Sequence, residues 1–287
     1  MPPRKPSPVG AHVLVAGGLA SVGLAYAREV GAEAVQVFVG NPRGWASAAG
    51  DSRQDDLFRQ ECSKARIPAF VHAPYLVNFG SPTPQTVAHS VVAVRHALRR
   101  GRAIGARGVV VHTGSAVIGS SREAALSQVR EAVLPLLDDI PDEGPDLLLE
   151  PTAGQGQSLC ATVEDLGPYL AALEFHPRLG ICLDTCHAFA AGHDLACPGG
   201  LKRALDLLVK VAGRGRLKLV HANDSKDACG SARDRHENLG KGHIGEEPFA
   251  ELFRHPGTNG VPLVVETPGK APEHRRDLEV LKSLRER

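Results

Sequence analysis

Gly108-Val109-Val110-Val111-His112 is the stretch on which the fold turns. Its β-branched run favours extended backbone. It shows no apolar–polar alternation, as expected of a parallel strand buried on both faces. It also stops on an imidazole. The same plan recurs on either side: Phe70-Val71-His72, Leu148-Leu149-Glu150, Cys182-Leu183-Asp184, Leu219-Val220-His221 and Val264-Val265-Glu266 each run from apolar residues into a histidine or an acid. Leaving such a group unsatisfied in a dry interior costs on the order of several kcal/mol. One such strand end is ordinarily a hydrogen-bonded core histidine. Six runs of one design point instead to a shared polynuclear metal site, whose nitrogen and oxygen donors suit zinc, manganese or iron.

Strands are expected near residues 11–16, 34–39, 69–73, 108–112, 146–150, 180–184, 217–221 and 262–266. Helical patterns lie between them, over stretches such as 19–30, 55–65, 86–104, 122–137, 162–173 and 201–211. About eight β/α units predict an α/β fold, a (β/α)8 TIM barrel with its active site at the C-terminal face of the strands. A doubly wound open sheet is the alternative. No long linker, charge block or low-complexity tract divides the chain. Residues 10–287 therefore read as one domain, preceded by a flexible, basic, Pro-rich tail over 1–9.

The 287 residues are 43% hydrophobic and 23% charged, enough to bury a large core. No apolar stretch approaches the ~18 residues a membrane span needs, and the N-terminus lacks the apolar centre of a secretory signal. A cytoplasmic protein is expected, associated with the nucleoid through any DNA it binds. Net charge is +1, with 33 Lys and Arg against 32 Asp and Glu, so no blanket basic surface attracts nucleic acid. The six cysteines form no C-x-x-C pair and read as reduced thiols. Cys182 and Cys186 flank Asp184; packed core thiols are expected there, with a thiolate ligand as the alternative.

Beyond the strand ends, His187 follows Asp184 by three residues, and Asp234-Arg235-His236 lies in a Gly- and charge-rich loop after the seventh strand. Asp-x-His alone is weak evidence. Beside the other candidate ligands it gains weight.

Over nearly its whole length the chain resembles the endonuclease IV family of abasic-site endonucleases (AP endonuclease family 2). The blocks that carry the resemblance are His72-Ala-Pro-Tyr-Leu-Val-Asn78, Leu149-Glu-Pro-Thr-Ala-Gly-Gln-Gly156, Gly180-Ile-Cys-Leu-Asp-Thr-Cys-His-Ala-Phe-Ala-Ala-Gly192, His221-Ala-Asn-Asp-Ser-Lys226 and Gly230-Ser-Ala-Arg-Asp-Arg-His236. Departures are small: Val77 stands where Ile or Met is commoner, Leu14 where Ser is usual, and His193 where an aromatic is common. None removes a ligand.

The resemblance implies a zinc-dependent deoxyribonuclease with three zinc ions, manganese or iron being possible substitutes. His72 and His112 would hold the first ion, and Glu150 would bridge it to a second held also by Asp184, His221 and Glu266. His187, Asp234 and His236 would hold the third. Together such cations leave the site positive despite its carboxylates, a natural host for phosphate. The implied reaction is hydrolysis 5′ to an abasic site in duplex DNA, with metal-bound hydroxide as nucleophile, giving 3′-hydroxyl and 5′-deoxyribose phosphate ends in base excision repair. The implied partner is duplex DNA with abasic sites or 3′-blocked ends; no membrane or protein partner is implied. By the same resemblance Arg43, Tyr75 and Leu76 would enter the gap left by the missing base. Alternatively, Tyr75 and Leu76 cap the core. Lys226, Arg233 and Arg235 can neutralise neighbouring phosphates, or be plain solvated charges. His12 reads as a group behind the ligands or a buried hydrogen-bonded histidine, and Trp45 as loop packing.

Two other functions fit the pattern less well. A sugar isomerase or epimerase on a related metal-bearing barrel would not need the set His187, Asp234 and His236. A catalytically silent module for damaged DNA would not need the full ligand set.

Overall fold

The computed structural model describes residues 5–117 and 121–287. Eight parallel strands close into a barrel: β1 (Val9–His12), β2 (Val35–Phe38), β3 (Ala69–His72), β4 (Gly108–His112), β5 (Asp146–Glu150), β6 (Leu179–Asp184), β7 (Leu217–His221) and, completing the ring against β1, the strand Leu263–Val265. Two short strands, β8 (Asp224–Ser225) and β9 (His236–Glu237), pair antiparallel beyond β7, so the closing strand is β10. The helices are α1 (Leu24–Val30), α2 (Ser52–Ala65), α3 (Pro84–Ala103), α4 (Arg122–Asp138), α5 (Leu166–Ala172), α6 (Thr185–Ala190), α7 (Gly200–Ala212), α8 (Ala250–Arg254) and α9 (Ala271–Glu286). The expected single-domain TIM barrel is what forms. Among the described residues no helix is long and apolar enough to cross a membrane.

Two apolar layers result. The larger lies between strands and helices, where residues such as Val109, Val111, Leu147 and Leu149 meet Val94, Val129 and Leu136. The smaller plugs the barrel itself: Ala34, Phe70, Val110, Leu148, Cys182, Leu219 and Val264. Because side chains on a strand alternate faces, a residue two positions on shares the inner face. Each of the last six plug residues is followed at that spacing by a strand-end ligand candidate: His72, His112, Glu150, Asp184, His221 and Glu266. Strand period and barrel closure together aim all six inward over one floor.

The structure moves some expected boundaries. The first strand, expected over 11–16, is β1 at Val9–His12, and the chain leaves the sheet at Leu14, which is 65% exposed. The tail expected to be loose over 1–9 is tied down from Lys5, while residues 1–4 lie outside the described residues. The Lys5 amide donates to Asn259 Oδ1 at 2.8 Å, the buried Ser7 hydroxyl donates to the Thr258 carbonyl at 2.8 Å, and Val9 already belongs to β1. Gly10 is required there: a Cβ would fall 1.7 Å from the carbonyl oxygen of Ala34, the residue before β2.

Candidate metal centre

Parallel register sets the cluster. His112 lies beside Glu150, and Asp184 beside His221. Glu150 is fully buried and faces ligand candidates with both oxygens. Its Oε2 lies 3.3 Å from Nε2 of both His72 and His112, and its Oε1 lies 2.9 Å from His221 Nδ1. His221 Nδ1 also faces Glu266 Oε2 at 3.3 Å and Asp184 Oδ2 at 3.7 Å.

Asp184 directs the next step of the chain. As N-cap of α6 its Oδ1 accepts from the His187 amide at 2.8 Å, satisfying an otherwise orphaned donor. The first turn of α6 thus turns His187 towards the cluster. His187 Nε2 and His236 Nε2 lie 3.2 and 3.1 Å from the same atom, Asp234 Oδ1. All nine expected ligands are therefore brought together. Donor atoms of His72, His112 and Glu150, of Glu150, Asp184, His221 and Glu266, and of His187, Asp234 and His236 form groups within 4.8 Å.

Hydrogen bonds fix which nitrogen of each ring faces the centre. Nδ1 donates to a backbone carbonyl in His72 (Ala73, 2.6 Å), His187 (Pro151, 3.0 Å) and His236 (Glu266, 3.2 Å), leaving Nε2 to point inward. Such orienting bonds are typical of metal-binding histidines.

Two observations test whether the donors fit cations. Glu150 Oε2 and His236 Nε2 are buried without a hydrogen-bond partner, although both are surrounded by polar atoms. Such groups are rare and costly unless something else satisfies them. The charge balance agrees. Burial opposes ionisation of Glu150, yet His221 and His112 hold its carboxyl well below the usual range. Against burial, His187 and His236 also hold Asp234 down, and His221 does the same for Glu266. Conversely, burial disfavours charge on the imidazoles, yet Asp184 and Asp234 raise His187 well above the ordinary value and His236 to about 9. Cys182, Glu266 and Glu150 raise His221 likewise. The cluster demands positive charge, and divalent cations fit it.

A cleft of about 330 Å³ opens over these groups, lined by Tyr75, His112, His187, Asp234, His236, Glu266 and Pro268. Tyr75 and Leu76 are 47% and 39% exposed. The Tyr75 ring lies 5.3 Å from that of His72 and 5.7 Å from that of His112, and its amide donates to the Pro42 carbonyl, tying the loop after β3 to the one carrying the exposed Arg43. Lys226, Arg233 and Arg235 lie at the surface with acidic neighbours: Lys226 is 3.7 Å from Glu237, while Arg233 and Arg235 share Asp227. Trp45 is half-buried against His89, as loop packing predicts. Burial raises the thiols of Cys182, to about 12, and Cys186, as expected of packed cysteines, though both lie near possible metal groups.

Three supporting residues escaped the sequence reading. Asn223 donates from Nδ2 to Asp184 Oδ2 at 2.7 Å and accepts from the Glu266 amide at 2.8 Å. Asp224, fully buried, accepts from the amides of Gly240, Gly242, Ile244 and Gly245. Gln36, also fully buried, touches His12, His221 and Glu266. Its position two residues after the plug residue Ala34 was the available signal.

Barrel and donor cluster define the class: a (β/α)8 barrel whose His, Asp and Glu side chains, gathered at the C-terminal ends of its strands, could bind metal. A family profile for the xylose isomerase-like TIM barrel matches residues 24–284. The probable endonuclease 4 of Streptomyces avermitilis is 64% identical over 281 residues, covering 98% of this chain and 91% of that protein. Its counterpart in Streptomyces coelicolor is 63% identical, covering 98% and 96%. The crystal structure of endonuclease IV from Thermus thermophilus superposes with a TM-score of 0.83 at 32% identity, covering 99% of both chains. The chain belongs to the endonuclease IV family and is a nuclease. A D-tagatose 3-epimerase-like protein superposes with a TM-score of 0.72 at 17% identity, a likeness of fold alone.

Proposed function

We propose that this enzyme hydrolyses the phosphodiester bond 5′ to abasic sites in duplex DNA, leaving 3′-hydroxyl and 5′-deoxyribose phosphate ends, as a cytoplasmic enzyme of base excision repair. The observation that carries this reading is the convergence on Glu150: one buried carboxylate faces His72 and His112 with one oxygen and His221 with the other. His72, His112 and Glu150 would hold one zinc ion, Glu150, Asp184, His221 and Glu266 a second, and His187, Asp234 and His236 a third. Divalent cations held there supply Lewis-acid chemistry, making water acidic and offsetting charge on a phosphoryl group.

The protein's part is placement. The Nδ1–carbonyl bonds fix the rings of His72, His187 and His236, so little reorganisation is needed when phosphate enters. No side chain need act as nucleophile. The cleft admits one phosphodiester and its sugar, and a groove of about 800 Å³ past Leu14, Gly18 and Pro42 offers a path for the flanking strand. Tyr75 and Leu76, exposed at the rim beside Arg43, would wedge into the stack at the lesion, where the missing base makes unstacking cheap. Lys226, Arg233 and Arg235 would exchange their acidic neighbours for DNA phosphates.

The test joins metal analysis of the purified protein with cleavage of a duplex carrying one abasic analogue. Three equivalents of zinc and incision immediately 5′ of the lesion are expected. Ketose epimerisation with the duplex untouched would replace this reading with that of a sugar enzyme. Tight binding to abasic duplex by the metal-loaded protein without cleavage would make it a silent binding module.

A further inference from the structure

We infer that Gln36 is a positioning residue that selects the ring tautomer of His221 and so directs the Nδ1 lone pair into the metal centre, an inference that rests on the proposed metal site. His72, His187 and His236 are oriented by backbone carbonyls. His221 is oriented by a side chain: its Nε2 lies 2.8 Å from Gln36 Oε1. A carboxamide oxygen only accepts, so Nε2 carries the hydrogen. In the neutral ring Nδ1 is then bare, and Nδ1 is the atom facing Glu150, Glu266 and Asp184.

The direction of the amide is itself determined. Gln36 Nε2 lies 2.6 Å from Glu266 Oε1, a carboxylate oxygen that only accepts, so the amide nitrogen faces Glu266 and the amide oxygen faces His221; His12 Nδ1 lies 3.0 Å from that nitrogen and 3.2 Å from Glu266 Oε1. The reverse orientation would set a carbonyl oxygen against a carboxylate oxygen and remove the acceptor from His221. Glu266 thus holds Gln36, and Gln36 holds His221. Gln36 and His221 are both fully buried, and their contact is direct. Register sets Gln36 beside His12 of β1 and Phe70 of β3.

The experiment uses the full chain, stripped with chelator and reloaded with zinc. In wild type, long-range ¹H–¹⁵N spectra are expected to show His221 protonated at Nε2 with Nδ1 metal-bound. Gln36→Met, similar in length but without an acceptor, is expected to lose that signature and to release one of three zinc equivalents about 10- to 100-fold more readily to a competing chelator. Gln36→Glu restores an acceptor and is expected to regain the Nε2–H signal. Circular dichroism of the stripped proteins separates lost zinc from lost fold, and Gln36→Glu carries the test if Gln36→Met does not fold. An unchanged His221 signal and wild-type retention of all three zinc ions in folded Gln36→Met would overturn the assignment while leaving the metal site standing. Wild-type protein that takes up no zinc would overturn both.

Discussion

Glu150 and His221 meet at 2.9 Å at the bottom of the cluster, both fully buried, and the carboxylate's other oxygen has no hydrogen-bond partner. The proposed bridging role makes Glu150 the position where the exchange of one oxygen for nitrogen has the largest effect. Glu150→Gln keeps the volume but replaces a ligand with an amide donor that faces the imidazoles. Cleavage of an abasic duplex should fall by at least about 100-fold, with metal content reduced in parallel. Plasma emission analysis alongside single-turnover cleavage checks this, and near-normal values for both would remove Glu150 from the bridging role.

Protons and metal ions compete for the same nitrogens. His236 is raised to about 9, and His187 and His221 well above the ordinary value, so these rings carry protons at neutral pH in zinc-free protein. Zinc binding requires them neutral, so loading must release protons. Calorimetric titrations of chelator-stripped protein at pH 7, in buffers differing in ionisation heat, should show that release, and zinc affinity should decline as pH falls.

The same shifts set the stability of the stripped protein. A group raised on folding stabilises fully below its unfolded value, near 6.5 for His236, and that contribution is lost as pH rises through about 9. Stripped protein should therefore melt at lower temperature at pH 10 than at pH 7. Zinc-loaded protein should change far less over that window, since its rings are already neutral. Parallel melts of the two forms give the comparison.

Much of this was legible in the sequence, for reasons particular residues make clear. β4, β5 and β7 have the expected limits because in each an apolar run, at 109–111, 147–149 and 219–220, leads into a histidine or an acid. β1 was misplaced because Val13-Leu14-Val15-Ala16 stays apolar after the chain has left the sheet. α5 is shorter than its pattern because the Asp165 carboxylate accepts from the amides of Ala161 and Thr162, and such local bonds compete with helix. α6 went unread because Thr185-Cys186-His187-Ala188-Phe189-Ala190 is buried on every side and has no amphipathic stripe. Gln36, Asn223 and Asp224 were missed because amides and a carboxylate bonded to backbone leave no ligand pattern; their roles arise only from three-dimensional neighbours.

Asp224 illustrates that last point and yields its own prediction. Its carboxylate gathers amides from residues 240–245, fastening the far end of the segment that bears Asp234 and His236. Asp224→Ala would leave the amide of the buried Ile244, and those of the half-buried Gly242 and Gly245, without their acceptor, at a cost of about 3 kcal/mol. Zinc stoichiometry should drop from three towards two as the His187, Asp234 and His236 set loosens. Gly242→Ala should act similarly, since its Cβ would fall 2.5 Å from Asp224 Oδ1 and 2.4 Å from the Ser225 carbonyl oxygen. Urea unfolding together with zinc analysis of both variants checks the linkage.

Recognition of the lesion should separate cleanly from metal binding at Tyr75. The side chain lies against the rings of His72 and His112 but contributes no atom to the donor groups, and nearly half of it is exposed. Tyr75→Ala should retain all the zinc. If the ring enters the helix, removing it should cost the stacking it makes with an adjacent base, about 1–3 kcal/mol, equivalent to roughly 5- to 150-fold in affinity for an abasic duplex. Binding to undamaged duplex should change much less, because a closed stack offers no gap for the ring. Fluorescence anisotropy with the two duplexes measures both quantities. An equal loss on each would make Tyr75 an ordinary surface contact, and no loss on either would leave the wedge to Leu76 and Arg43.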